Sequence, residues 1–194
     1  RNIAAHYDLG NEFYRQWLRS GVSKAALDNA LDMYYRNPRG VIKNRRYITI
    51  VDFSKRSGEK RMFILDTSTG DVEKLYTTHG NGRGTVGQSK ATKFGNRDGS
   101  YLTPPGFHVT GTSYHNSPRH GRTLKMNGIE SRNSESAGRA ILIHEAWYAS
   151  DKLVRSTGYA GRTQGCLAID PAKTPRIIRE LKGGSLIYNY TGRD

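Results

Sequence analysis

Along residues 23–36 the apolar positions Leu27, Ala30, Leu31 and Tyr34 recur at helical spacing among polar neighbours, which predicts an amphipathic helix with Ser23 as its N-cap. Asn37-Pro38-Arg39-Gly40 stops it, because proline and glycine break helices. From Arg46 onward the texture changes to short β-rich runs at 47–53, 61–66 and 72–78, a β-meander. Between the second and third runs, Thr67-Ser68-Thr69-Gly70-Asp71 is turn chemistry, so those two strands should form a hairpin. Residues 79–106 are dense in glycine and polar side chains and read as long functional loops. Strand texture returns at 107–110, at 123–126 and at Arg139-Ala140-Ile141-Leu142-Ile143-His144, the last a buried strand. A helical pattern over 173–181, closed by Gly183-Gly184, precedes a final strand at 185–190. The class is a β-dominated α+β fold.

The chain has 194 residues, enough for one hydrophobic core, and is expected to divide into an N-terminal helical segment, 1–40, and a β-rich domain, 41–194. No stretch approaches the roughly 20 apolar residues of a membrane helix, and no signal-peptide pattern opens the sequence, so a processed form or another export route is expected. A net charge of +14 calls for a polyanionic neighbourhood. Nucleic acid, anionic membrane and cell wall all qualify, but the basic residues are dispersed and form no nucleic-acid motif. The opening residues Asn2 to Tyr14 resemble the opening segment of cyclopropane-fatty-acid-synthase-type methyltransferases. No βαβ unit with a glycine-rich nucleotide turn follows, so the segment reads as an amphipathic N-terminal stretch.

The single cysteine changes the picture. Cys166 follows the glycine-rich stretch Gly158-Tyr159-Ala160-Gly161-Arg162-Thr163-Gln164-Gly165 and enters an apolar run. A nucleophile suits such a junction: Gly165 allows a sharp turn, small residues admit a substrate backbone, and local amides can face an oxyanion. Arg162 would favour the thiolate. The bland reading is a structural cysteine buried in a strand, and the residues alone leave both open. His144 sits 22 positions earlier at the polar end of the 141–143 strand and offers a base, against the alternative of a capped core histidine.

In this order the residues resemble the L,D-transpeptidase catalytic-domain family, in its second, Gram-negative-type branch. The matching segments are Ile50-Val51-Asp52-Phe53, His79-Gly80-Asn81-Gly82, Phe94-Gly95-Asn96, Gly128-Ile129-Glu130-Ser131-Arg132-Asn133, Ile143-His144 and Gly161-Arg162-Thr163-Gln164-Gly165-Cys166. The resemblance covers roughly residues 20–190. It implies a β-rich domain of mixed, curled sheets with N-terminal helices packed on one side. It also implies that Cys166 attacks the bond between the third residue and D-Ala of a peptidoglycan tetrapeptide stem, forming a thioester while His144 handles the proton. Amides at Gly165 and Cys166 would be oxyanion donors, and Arg162 a site for a substrate carboxylate. Thr163 stands where the family has serine, Gln164 where it has histidine, and Ala168 where many relatives carry arginine. Glu145, following His144, is expected to raise the imidazole pKa.

Trp147, Tyr148 and Tyr159 flank the expected site and are candidates for contact with sugar or peptide. His144-Glu145-Ala146-Trp147-Tyr148 begins like a zinc-protease helix but lacks the second histidine. His108, His115 and His120, in or beside a loop, lack convincing zinc spacing, so neither metal nor cofactor is expected. Three functions compete: a transpeptidase, an L,D-carboxypeptidase trimming tetrapeptide to tripeptide, and a non-catalytic cell-wall or polyanion-binding module. The expected partner is the peptidoglycan stem rather than nucleic acid, in a periplasmic or secreted setting.

Overall fold

The computed structural model describes residues 11–84, 89–118 and 120–194, and within them every side chain except those of Asn11 and residues 112–117. Most of the methyltransferase-like opening segment and the His115 side chain therefore lie outside the described residues. Two helices, α1 (Asn11–Arg19) and α2 (Lys24–Arg36), precede a meander of β1 (Tyr47–Asp52), β2 (Met62–Asp66) and β3 (Val72–Leu75). A two-residue strand β4 (His79–Gly80) leads into the long loop, then come the hairpin β5 (Gly106–Ser117) and β6 (Gly121–Gly128), and β7 (Leu142–Glu145). Helix α3 (Asp151–Thr157), β8 (Arg162–Thr163), β9 (Leu167–Ile169), α4 (Thr174–Leu181) and β10 (Leu186–Tyr190) complete the chain.

Eight strands form one mixed sheet in the order β3-β2-β1-β10-β5-β6-β7-β9, with β1/β10 and β7/β9 the parallel pairs. β10 can pair in parallel with β1 because the two strands are separated by most of the chain, with β2 to β9 and α4 between them. Both faces of the central strands are covered. Ile48, Ile50, Phe63, Leu65, Leu186 and Tyr188 pack against α1 and α2 through Trp17, Leu27 and Leu31. Val51, Met62, Ile64 and Ile187 face the other way, onto Ile177, Ile178 and Leu181 of α4 and onto Ile143 and Leu167. Each residue alternates faces, yet both faces are apolar, so these strands read as near-continuous hydrophobic runs. Fully burying a leucine of this kind contributes about 1.5–3 kcal/mol.

The meander, its hairpin, the helix at 24–36 and the closing helix and strand match the sequence reading. His108 lies in β5, within the run read as strand at 107–110, and is fully buried between the Gly106 carbonyl and Ser136 Oγ. Two details differ. Ser23 occupies the N-cap but makes no side-chain cap; its hydroxyl donates to Asp52 Oδ2 at 2.6 Å and its amide to the same oxygen at 3.1 Å. Residues 139–141 are not strand, because Ala140 takes a positive φ of 51° that breaks the extended run before Leu142. Helix α3 was not legible: it is seven residues long and buries only Val154, so it has no apolar stripe, and Ser150 and Gly158 cap its two ends.

Asp52 joins the helical layer to the sheet. Its fully buried carboxylate accepts from the amide and hydroxyl of both Ser23 and Ser54. Asp52→Ala removes four charge-assisted bonds and leaves their donors under-satisfied, so it should lower unfolding free energy by roughly 3 kcal/mol or more in urea titrations. A loss below about 1 kcal/mol would show that α2 docks by apolar packing alone.

Candidate active site

The turn that carries Cys166 is built by hydroxyls. Thr163 Oγ1 donates to the Cys166 carbonyl at 2.7 Å and accepts the Gly165 amide at 3.2 Å, closing residues 163–166 on themselves. Thr78 Oγ1 reaches the same Cys166 carbonyl at 3.1 Å and accepts the Ala168 amide at 2.8 Å. β4 pairs in parallel with β8, and the Asn81 amide extends that ladder to the Thr163 carbonyl. Gly165 has φ 116°, and a Cβ there would lie 2.7 Å from the Leu102 carbonyl oxygen and 3.0 Å from Ile141 Cδ1. Glycine is required by both conformation and space. The hydroxyl common to serine and threonine at position 163 is the part of the family motif that this turn uses.

Beneath β4, the fully buried Arg61 donates to the carbonyls of Lys55 and Thr77 and to His79 Nδ1 at 2.9 Å. Because Nδ1 accepts, His79 carries its proton on Nε2. Burial and the neighbouring guanidinium groups hold its pKa down to about 3, so it stays neutral and serves as a strut rather than a base.

His144 is placed by the register of β7, whose Ile143 and His144 pair with Leu167 and Ala168 of β9. Its ring is buried, and Nδ1–H donates to the Glu145 carbonyl at 2.9 Å, which leaves Nε2 as the proton acceptor. Cys166 lies on the same cavity of about 630 Å³, with its Sγ–H directed at the Ala140 carbonyl at 3.6 Å. Asn81, Asp98, Tyr101, His120, Arg139, Tyr148, Arg162, Thr163 and Gln164 share the wall. Tyr101 and Ala140, both on the wall of this cavity, adopt positive φ, a conformation uncommon for residues with a Cβ and concentrated at functional sites.

Two electrostatic expectations change. Burial is the leading influence on His144 and lowers its pKa; the Glu145 carboxylate only opposes that shift, and His120 adds to it. Burial raises the Cys166 thiol, opposed by the Leu142 amide and by the Arg139 guanidinium, so Arg139 and not Arg162 is the cation acting on the sulfur. Arg139 is fixed by donating to the carbonyls of Gly95 and Leu102 at 2.8 and 2.7 Å, which anchors the long loop over the cavity. The Gly165 amide, expected to face an oxyanion, is committed to Thr163.

Of the other residues singled out, Tyr148 lines the main cavity, whereas Glu145 and Trp147 line an adjoining cleft of about 280 Å³. Trp147 is 72% exposed and meets Tyr148 edge-on. Tyr159 lines neither space. The reading of the sequence missed His120 and Arg139. His120 stood in a trio weighed only for zinc, and Arg139 was absorbed into a strand that begins three residues later. Among the described residues no group of three or more His, Cys, Asp and Glu side chains could hold a metal.

Comparison with known proteins bears on this arrangement. A search of curated proteins found no match. Solved structures overlap at low similarity: an L,D-transpeptidase from Mycobacterium smegmatis at 13% identity and TM-score 0.43, covering 74% of this chain and 58% of that one. One from Mycobacterium tuberculosis H37Rv matches at 11% and 0.44, covering 74% and 57%, so this chain spans less than two thirds of either. One from Stackebrandtia nassauensis matches at 11% and 0.42, covering 97% and 86%. The sequence model of the L,D-transpeptidase catalytic domain matches residues 18–190, from the end of α1 to the end of β10 and across Asp52, His144 and Cys166, and by that match the chain belongs to this family.

Proposed function

We propose that the chain is a cysteine acyltransferase of the bacterial envelope that cleaves the third-residue–D-Ala bond of a tetrapeptide stem and passes the acyl group to an amine. The observation that carries this reading is that Cys166 shares a cavity with a histidine whose Nδ1–H is tied to a backbone carbonyl, so that Nε2 is the available base. Burial raises the thiol and lowers the imidazole, so the resting pair is neutral. His144 Nε2 takes the thiol proton as Sγ attacks the stem carbonyl, and returns it to the nitrogen of D-Ala as the C–N bond breaks. A thioester on Cys166 remains, and an acceptor amine then displaces the sulfur. The Cys166 amide is the proposed oxyanion donor, and Arg139 favours the developing anionic charge from across the cavity. Arg162 and Gln164 are assigned to substrate contact at the rim. The +14 charge suits a carboxylate- and phosphate-rich wall in a periplasmic or secreted setting.

Purified disaccharide-tetrapeptide incubated with the protein should lose D-Ala and yield cross-linked dimers by mass spectrometry, and Cys166→Ala and His144→Ala should each reduce the rate at least 100-fold. Tripeptide without dimers would make the protein a carboxypeptidase, and an untouched substrate would leave a binding role only. Alkylation of Cys166 by iodoacetamide should rise with pH to a plateau above the ~8.5 of an ordinary thiol, since a raised pKa delays the thiolate. A plateau below pH ~7 would reveal a preformed thiolate and contradict the neutral pair.

A further inference from the structure

Acyl transfer to an amine needs two proton transfers of opposite sense at different places. The first supplies a proton to departing D-Ala; the second removes one from the incoming amine. His144 accounts for the first, and it is buried on the cavity it shares with Cys166. The cavity and the adjoining cleft share three residues: His120, His144 and Tyr148. His120 stands in the turn between β5 and β6, partly exposed, with its ring centroid 4.8 Å from that of His144 and tilted by 49°.

We infer that His120 is the base that receives the proton of the acceptor amine, placed where the adjoining cleft meets the cavity that holds Cys166. The inference rests on the transpeptidase reading and assigns it a second imidazole. In the transfer step the neutral amine nitrogen attacks the thioester carbonyl, a C–N bond forms, the C–S bond breaks, and sulfur leaves as thiolate. The surplus proton on nitrogen goes to His120, and from there by way of His144 to the sulfur, which restores the neutral thiol and both neutral imidazoles.

The surroundings fit this role. The Glu145 carboxylate packs against Gly121, so closely that a Cβ on that glycine would overlap it, and it lies beside the turn that holds His120. Two imidazoles at this separation resist being protonated together, and His120 contributes to the lowered proton affinity of His144. The other charged or titratable groups lining the cavity or the cleft are Asp98, Tyr101, Arg139, Glu145, Tyr148, Arg162 and Cys166. A proton entering on His120 therefore passes toward the thiolate.

The test compares wild type with His120→Ala and His120→Gln on disaccharide-tetrapeptide, measuring released D-Ala, dimer and tripeptide separately, with Cys166 alkylation as a check on the site's integrity. The dimer-to-tripeptide ratio should fall at least 10-fold in both variants. Hydroxylamine, a nucleophile that needs little base assistance, should restore transfer by yielding the tripeptide hydroxamate. An unchanged ratio, or D-Ala release and dimer falling in parallel with hydroxylamine giving no rescue, would overturn the role of His120 while leaving Cys166 and His144 in place. A wild type that releases no D-Ala would overturn both.

Discussion

The Cys166 carbonyl is held by two threonine hydroxyls, and the geometry of the site depends on that clasp. Thr163 reaches it from within the turn and Thr78 from the neighbouring segment, so the residue carrying the sulfur is fixed through its backbone rather than its side chain. This frees Sγ to face the cavity and forces the chain through a conformation that only glycine tolerates at 165. The clasp in turn depends on β4 lying flat against β8, which Arg61 secures from beneath by bonding Thr77 and His79. A large buried cation in a sheet protein would otherwise be costly; here it donates to two backbone carbonyls and one imidazole, and the attraction of Asp52 and Glu59 supports its charge.

Asp52 serves both ends of the molecule. It fastens α2 to the sheet through Ser23 and attracts Arg61, whose other contacts steady the segment opposite Cys166. The helical layer and the turn that carries Cys166 are thus coupled through one carboxylate at the end of β1. In the proposed reaction, with the thiol raised and the imidazole lowered by burial, proton transfer accompanies attack instead of preceding it.

Much of this was legible in the residues. Short β-rich apolar runs placed β1, β2 and β10, helical spacing placed α2 and α4, and the lone cysteine behind a glycine-rich approach marked the turn. What stayed hidden was of two kinds. Short elements such as α3 carry too few buried residues to show a period. Electrostatic roles depend on distances between segments far apart in sequence: Glu145 follows His144 directly yet is outweighed by burial, whereas Arg139 acts on the sulfur's charge from 27 positions away. The positive φ of Ala140, which turns the carbonyl that accepts from Sγ, has no signature in an alanine.

The central claim is that Cys166 carries the acyl group. Intact-protein mass spectrometry after a brief incubation with disaccharide-tetrapeptide and an acid quench tests it directly. The account predicts an adduct with the mass of the stem lacking D-Ala, located on Cys166 by fragmentation and released by hydroxylamine. Release of D-Ala with no adduct at Cys166, or an adduct on any other side chain, would contradict it.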